Sequence, residues 1–134
     1  MSLDLSPLRN AVARLAEGLE RVQRETHDTQ IRDGLIHRFE LIYEQGHKML
    51  KRSLEASSLT PGEFDEADFP YIIRSAHEQG LLLGDWPKWR GYREMRAKTS
   101  HTYDEEIALK VVSQIPAFLE EARYLLDQLA QRHP

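Results

Sequence analysis

A chain of 134 residues, 40% hydrophobic and 30% charged, has material for one core and a solvated surface, which excludes disordered and fibrous classes. Its formal net charge of −4 excludes a polycation that coats nucleic acid, so any such contact must come from a local basic patch. It has no cysteine, which excludes disulfides and thiolate metal sites and fits a reducing cytosol. Met1 to Asn10 carries Asp4 and lacks the apolar segment of a secretory signal, and no run is apolar enough to span a bilayer. The chain reads as a single soluble, cytoplasmic domain, 1–134.

Helical spacing dominates in chain order. Leu8, Val12, Leu15, Leu19 and Val22 form one stripe of a first amphipathic helix, entered at Ser6-Pro7 and fading around Thr26-His27-Asp28. A second helix runs from about Asp28 to Ala56, with Ile31, Leu35, Phe39, Ile42, Met49 and Leu50 inward and Gly46 a tolerated interruption. Ser57 to Asp68 reads as a loop. A short third helix covers Asp68 to Gln79, with Pro70 in its first turn and Gly80 as its stop. Asp85 caps a fourth helix that ends near Lys98. Thr102-x-x-Glu105 has the pattern of a capping box for a fifth helix, whose apolar side runs from Val112 to Leu129 and which Pro116 must kink or split. No strand-like alternation, repeat or low-complexity tract intervenes. These elements predict an all-α fold: an up-and-down antiparallel bundle of four to five main helices.

The chemistry concentrates between the last two helices. On a helical wheel Trp86, Trp89 and Tyr92 share a face, Arg93 falls between the tryptophans, and Arg96 falls between Trp89 and Tyr92. An arginine on an aromatic face needs a carboxylate, a ring or a phosphate for its charge. Spacing leaves two readings open: a snorkelling arginine paired with Glu40 or Glu44 of the second helix, or a phosphate-binding arginine in a cleft. From Lys88 to Lys98, five cations stand against Glu94 alone, interleaved with aromatics as a single-stranded RNA surface would be, or as a solvated basic face would be. Glu40, Glu44 and Lys48 repeat at i, i+4, i+8, where Glu44 and Lys48 can pair.

Of six histidines, only His101 stands out, at a helix entrance beside Arg96 and Tyr103, because histidine is the side chain most often used for proton transfer. The other five show no metal-ligand spacing, and no metal or cofactor is expected. Ser100 lacks the orienting group that a nucleophile beside a base requires. No phosphate-cradling glycine loop occurs.

Arg96-x-x-x-x-His101-x-Tyr103, preceded by an aromatic helix, resembles the HEPN superfamily. More closely, the chain resembles the bacterial nucleotidyltransferase substrate-binding proteins. The run Thr99-Ser100-His101-Thr102-Tyr103-Asp104 matches that family almost letter for letter. So does the segment from Ile31 to Leu41, followed by Tyr43, Glu44 and Lys48. The resemblance extends over nearly the whole chain. Three positions depart from the family's usual residues: Ala97 replaces a polar residue, Gly46 an alanine and His47 a tryptophan.

The resemblance implies a helical homodimer and, as partner, a minimal nucleotidyltransferase encoded nearby. In related pairs the HEPN protein is a toxin that cleaves RNA without a metal, silenced when the nucleotidyltransferase adenylylates the motif tyrosine. Carried onto this chain, Arg96 and His101 are the catalytic residues and Tyr103 is the modified one. Arg93, Lys98, Trp89 and Tyr92 would contact RNA or nucleotide, with Glu40, Glu44 and Lys48 in support. Ala97 keeps a second reading open, a non-catalytic subunit that presents a nucleotide or other substrate to the nucleotidyltransferase, and leaves enzymatic activity undecided.

Overall fold

In the computed structural model, which describes residues 3–134, the apolar rhythms become five α-helices: α1 Ser6–Arg24, α2 Thr29–Ser57, α3 Phe69–Glu78, α4 Trp86–Lys98 and α5 Glu105–Arg132. Among the described residues there is no strand, and no helix is long and apolar enough to cross a membrane. The stretch from Met1 to Asn10, expected not to be a secretory signal, begins with two residues that lie outside the described ones.

Each boundary has a local cause. Pro7 sits in the first turn of α1, where its missing N–H costs nothing. The Asp28 carboxylate accepts from the amides of Gln30 and Ile31 and starts α2. Asp68 and Asp85 do the same for α3 and α4, accepting from Tyr71 and Lys88. Gly80 ends the α3 segment with φ of +77°, a conformation that glycine reaches without a Cβ clash.

One expected boundary is corrected. Thr102 is not the cap of α5: its backbone is still in the helical region and its hydroxyl donates to the Thr99 carbonyl. Asp104 has the extended backbone of a cap, and its carboxylate accepts from Glu106 and Ile107. Between α4 and α5 the chain continues as a 3-10 turn over Thr99–His101. Pro116 does not split α5, which is continuous over Glu105–Arg132; the proline stands on an exposed position. The carbonyl of Val112, four residues before it, loses its helical donor there.

The long helices α1, α2 and α5 pack on one another, and α3 and α4 close the bundle against α2 and α5. Leu8, Leu15, Leu35, Ile42, Met49 and Ile115 are fully buried at the predicted positions, whereas Leu19 and Ile31 are half-buried at the rim. Gly46 is tolerated, since an added Cβ would meet only Leu125 at an ordinary 3.7 Å. Edge-on rings join α2, α4 and α5: Phe39 to Phe118 at 4.8 Å, Tyr92 to Phe118 at 5.0 Å and Trp89 to Tyr92 at 5.3 Å. The Ser57–Asp68 loop contains a 3-10 turn over Pro61–Phe64 that buries Phe64, and the link before α4 buries Leu81 and Leu82.

Candidate functional site

The position of α4 is set by a carboxylate that the sequence reading passed over. Glu121 of α5 is only 2% exposed and accepts three hydrogen bonds: from the amides of Leu83 and Gly84, both at 2.7 Å, and from the Trp89 indole at 3.0 Å. Burial pushes its pKa up, opposed by those three donors. A Cβ on Gly84 would come within 2.9 Å of a Glu121 oxygen, so this approach requires a glycine. The signal was there: Glu121 stands at core spacing between Phe118 and Leu125, where a carboxylate must find buried donors.

With α4 fixed, Trp89, Tyr92 and Met95 point into the core. Trp89 and Tyr92 are 3% and 4% exposed, which corrects their assignment as contact surfaces for RNA. Their rings pack edge-on against Phe118 and each other, and Lys88 lies over the Tyr92 ring. Burial takes the Tyr92 phenol up to about 12. They support the helix that carries the cations.

Arg96 follows at the rim, its side chain 32% exposed. Its guanidinium lies 3.0 Å from Glu44 and 3.5 Å from Glu40, and also donates to the Thr99 hydroxyl at 3.2 Å. That hydroxyl in turn donates to the Arg96 carbonyl at 2.7 Å, locking side chain and backbone together. The pairing with α2 is thus the one that the snorkelling reading expected, and the charge is nevertheless open to solvent. Thr99 is buried and was missed, because its role depends on the 3-10 turn. Glu44 turns to Arg96, and Lys48, expected to pair with Glu44, forms no ion pair among the described residues. Arg93 is exposed, with its guanidinium 5.6 Å from the centre of the Phe69 ring, and Lys98 is exposed.

His101 at the end of the turn and Tyr103 just past it are both exposed, Tyr103 at 87%. The imidazole Nδ1 is 3.4 Å from the Tyr103 hydroxyl. No hydrogen bond joins His101 to Arg96 among the described residues; Thr99 lies between them in the chain. Ser100 donates to the Ala97 carbonyl, which leaves it a backbone-bound hydroxyl. The far side of the turn is tied down by Arg32 of α2, which meets Glu105 at 2.8 Å and holds its pKa below the usual range. Among the described residues no three His, Asp or Glu side chains converge as a metal site requires.

The site is therefore an open surface. A cleft of about 480 Å³ between α4 and α5 is lined by His77, Lys88, Tyr92 and Glu121 and lacks Arg96, His101 and Tyr103. The surface offers a solvent-accessible guanidinium for an anion, an unburied imidazole for proton transfer and a phenol free of packing.

Residues 3–131 match the family model described as nucleotidyltransferase substrate binding protein like. The chain is 45% identical over 100 residues to a Haemophilus influenzae protein named probable ribonuclease HepT, covering 75% of this chain and 68% of that one. A solved structure from Haemophilus influenzae, reported as the fold of a substrate-binding domain of a nucleotidyltransferase, superposes with a TM-score of 0.88 at 35% identity. The match covers 95% of this chain and 99% of that one.

Proposed function

The chain belongs to the family of nucleotidyltransferase substrate-binding proteins, and we propose that it is the HEPN-type partner of a minimal nucleotidyltransferase and a metal-independent endoribonuclease. One observation carries this reading: Arg96, partly exposed in the last turn of α4, is followed within seven residues by His101 and Tyr103, both exposed ahead of α5. The relative named as a ribonuclease supports the activity, and the family and the solved domain support the partner.

Arg96 holds the scissile phosphate and stabilises the charge that grows on its oxygens. The ribose 2′-hydroxyl attacks phosphorus and the bond to the 5′-oxygen breaks. His101 takes the proton of the attacking hydroxyl or supplies one to the departing oxygen. Arg93 and Lys98 position the backbone, and Glu40, Glu44 and Thr99 orient Arg96. Tyr103, beside His101, is the residue that the partner adenylylates, and the added phosphate and nucleoside then fill the site that RNA would use. A homodimer brings two such turns toward one groove.

Incubation of the purified protein with single-stranded RNA in the presence of a chelator tests this. Cleavage by the wild type, and its loss in Arg96→Ala and His101→Ala with unchanged circular dichroism, is the expected result. No cleavage by the wild type, with equal growth of cells expressing wild type or His101→Ala, overturns the nuclease. The carboxylates on Arg96, together with Ala97, favour a second reading in that event: a non-catalytic subunit that presents nucleotide to the nucleotidyltransferase. Nucleotide binding to the reconstituted pair then decides it.

A further inference from the structure

Away from Arg96, the surface continues as a strip of rings and unpaired cations. Tyr43 and His47 follow Glu40 and Glu44 by single turns along α2. The Phe69 ring of α3 lies 5.9 Å from Tyr43, 5.0 Å from His47 and 6.1 Å from Trp86 of α4. All four rings are half-buried, unlike the enclosed Trp89 and Tyr92. Two exposed guanidinium groups rest on them: Arg93 at 5.6 Å from the Phe69 ring centre and Arg74 at 5.9 Å from that of Trp86.

Neither arginine has a carboxylate partner among the described residues, whereas Arg14, Arg21, Arg24, Arg32 and Arg123 all have one. Of the acidic groups around the strip, Glu40 and Glu44 are engaged on Arg96 and Asp68 caps α3, while Glu78 and Glu94, on the same helices as Arg74 and Arg93, form no ion pair with them. A merely solvated basic face would carry its cations out into water, with polar residues between them. Here they lie on a continuous aromatic floor. The strip also joins the site, because Arg93 and Arg96 both act on the Tyr43 phenol, pulling its pKa down against the burial that takes it up to about 12.

We infer that single-stranded RNA runs from Arg96 along this strip, with Arg93 and Arg74 on successive phosphates and the rings of Tyr43, Phe69 and Trp86 meeting its bases. The inference rests on the ribonuclease reading and extends it from the scissile phosphate to the flanking strand. Guanidinium forks suit phosphate, and every base has a face to lay on a ring, so such a track binds without reading sequence. From Glu40 to His47 the strip spans about 10 Å at about 1.5 Å per helical residue. That distance takes roughly three nucleotides at about 3.4 Å per stacked step.

The test measures anisotropy of two uncleavable 2′-O-methyl oligouridylates, one long enough to fill the strip and one dinucleotide. In Arg74→Ala and Arg93→Ala, the long ligand should bind about fivefold or more weakly, with the slope of log affinity against log salt reduced by about 0.7 per arginine. The dinucleotide should bind Arg74→Ala as it binds the wild type, and Arg9→Ala, exposed on α1, should change neither. Binding of the long ligand should also quench tryptophan fluorescence, and Trp86→Phe should abolish that quench, since Trp89 is enclosed.

Equal affinity of wild type and both variants for the long ligand overturns the inference. So does an equal loss in Arg9→Ala, which marks diffuse charge, or a loss of the nucleotidyltransferase partner in place of RNA, which marks a protein-docking face. If the wild type binds the dinucleotide through Arg96 while Arg74 and Arg93 have no effect on the long ligand, only the strip falls. If the wild type binds neither ligand, the ribonuclease reading falls with it.

Discussion

At Arg96 two opposite demands meet on one guanidinium. It must be held still to receive a phosphate, and Glu40, Glu44 and Thr99 hold it. Yet the two carboxylates also compete with the phosphate for the same N–H groups. The group is 32% exposed and Glu44 is 59% exposed, so solvent screens their pair. Such a pair contributes roughly 0–1 kcal/mol. Glu44→Gln should therefore tighten oligonucleotide binding by about threefold, within the range set by that energy, as measured by fluorescence titration. A weaker affinity would show that the carboxylate's orienting role outweighs its competition. The pairing was legible as spacing, because Glu40 and Glu44 repeat on the side of α2 that an arginine at 96 would face. Thr99 was not legible: a threonine hydroxyl has many local acceptors, and only the 3-10 turn selects the Arg96 carbonyl and guanidinium.

Among elements, the turn from α4 to α5 decides where His101 and Tyr103 stand. Two capping residues compete there, and the backbone chooses between them. Thr102 has φ of −76° and ψ of 0°, still helical, whereas Asp104 has φ of −82° and ψ of 119°. Only the second lets a side chain reach back to the free amides of α5. Asp104→Ala should cost about 1 kcal/mol in urea denaturation, with faster hydrogen exchange at Glu106 and Ile107. Thr102→Ala should cost less, since Thr102 bonds one carbonyl already within the turn. The helices themselves were readable because a three–four apolar rhythm has one solution over long stretches. Phe64, Leu81 and Leu82 were not, because they lie in links without periodicity and are buried only by the helices that close over them.

For the whole molecule, a buried carboxyl group is among the links between the α3–α4 segment and α5, beside the bonds of Tyr124 and Arg132 to the Gly80 and Gln79 carbonyls, and it gives stability a distinctive dependence on pH. Glu121 has a folded-state pKa above its ordinary value of 4.5 because burial outweighs its three donors. Its neutral form fits the fold better than its charged form. This contribution is therefore complete below pH 4.5 and is lost as pH rises through the raised value. His47, pressed against Phe69 and near Lys51, has a pKa below its ordinary 6.5, first through burial and then through the lysine. Its contribution has the opposite sign, present above pH 6.5 and lost as pH falls through the lowered value. Urea denaturation of wild type, Glu121→Gln and His47→Asn between about pH 4 and pH 8 separates them. The difference in stability between wild type and Glu121→Gln should shrink as pH climbs above 4.5, because only the wild type then carries a buried charge. The difference between wild type and His47→Asn should shrink instead as pH drops below 6.5. A Glu121→Gln difference that grows with pH would mean that the three donors to Glu121 outweigh its burial. The buried carboxylate would then hold α4, and with it Arg96, most firmly when charged.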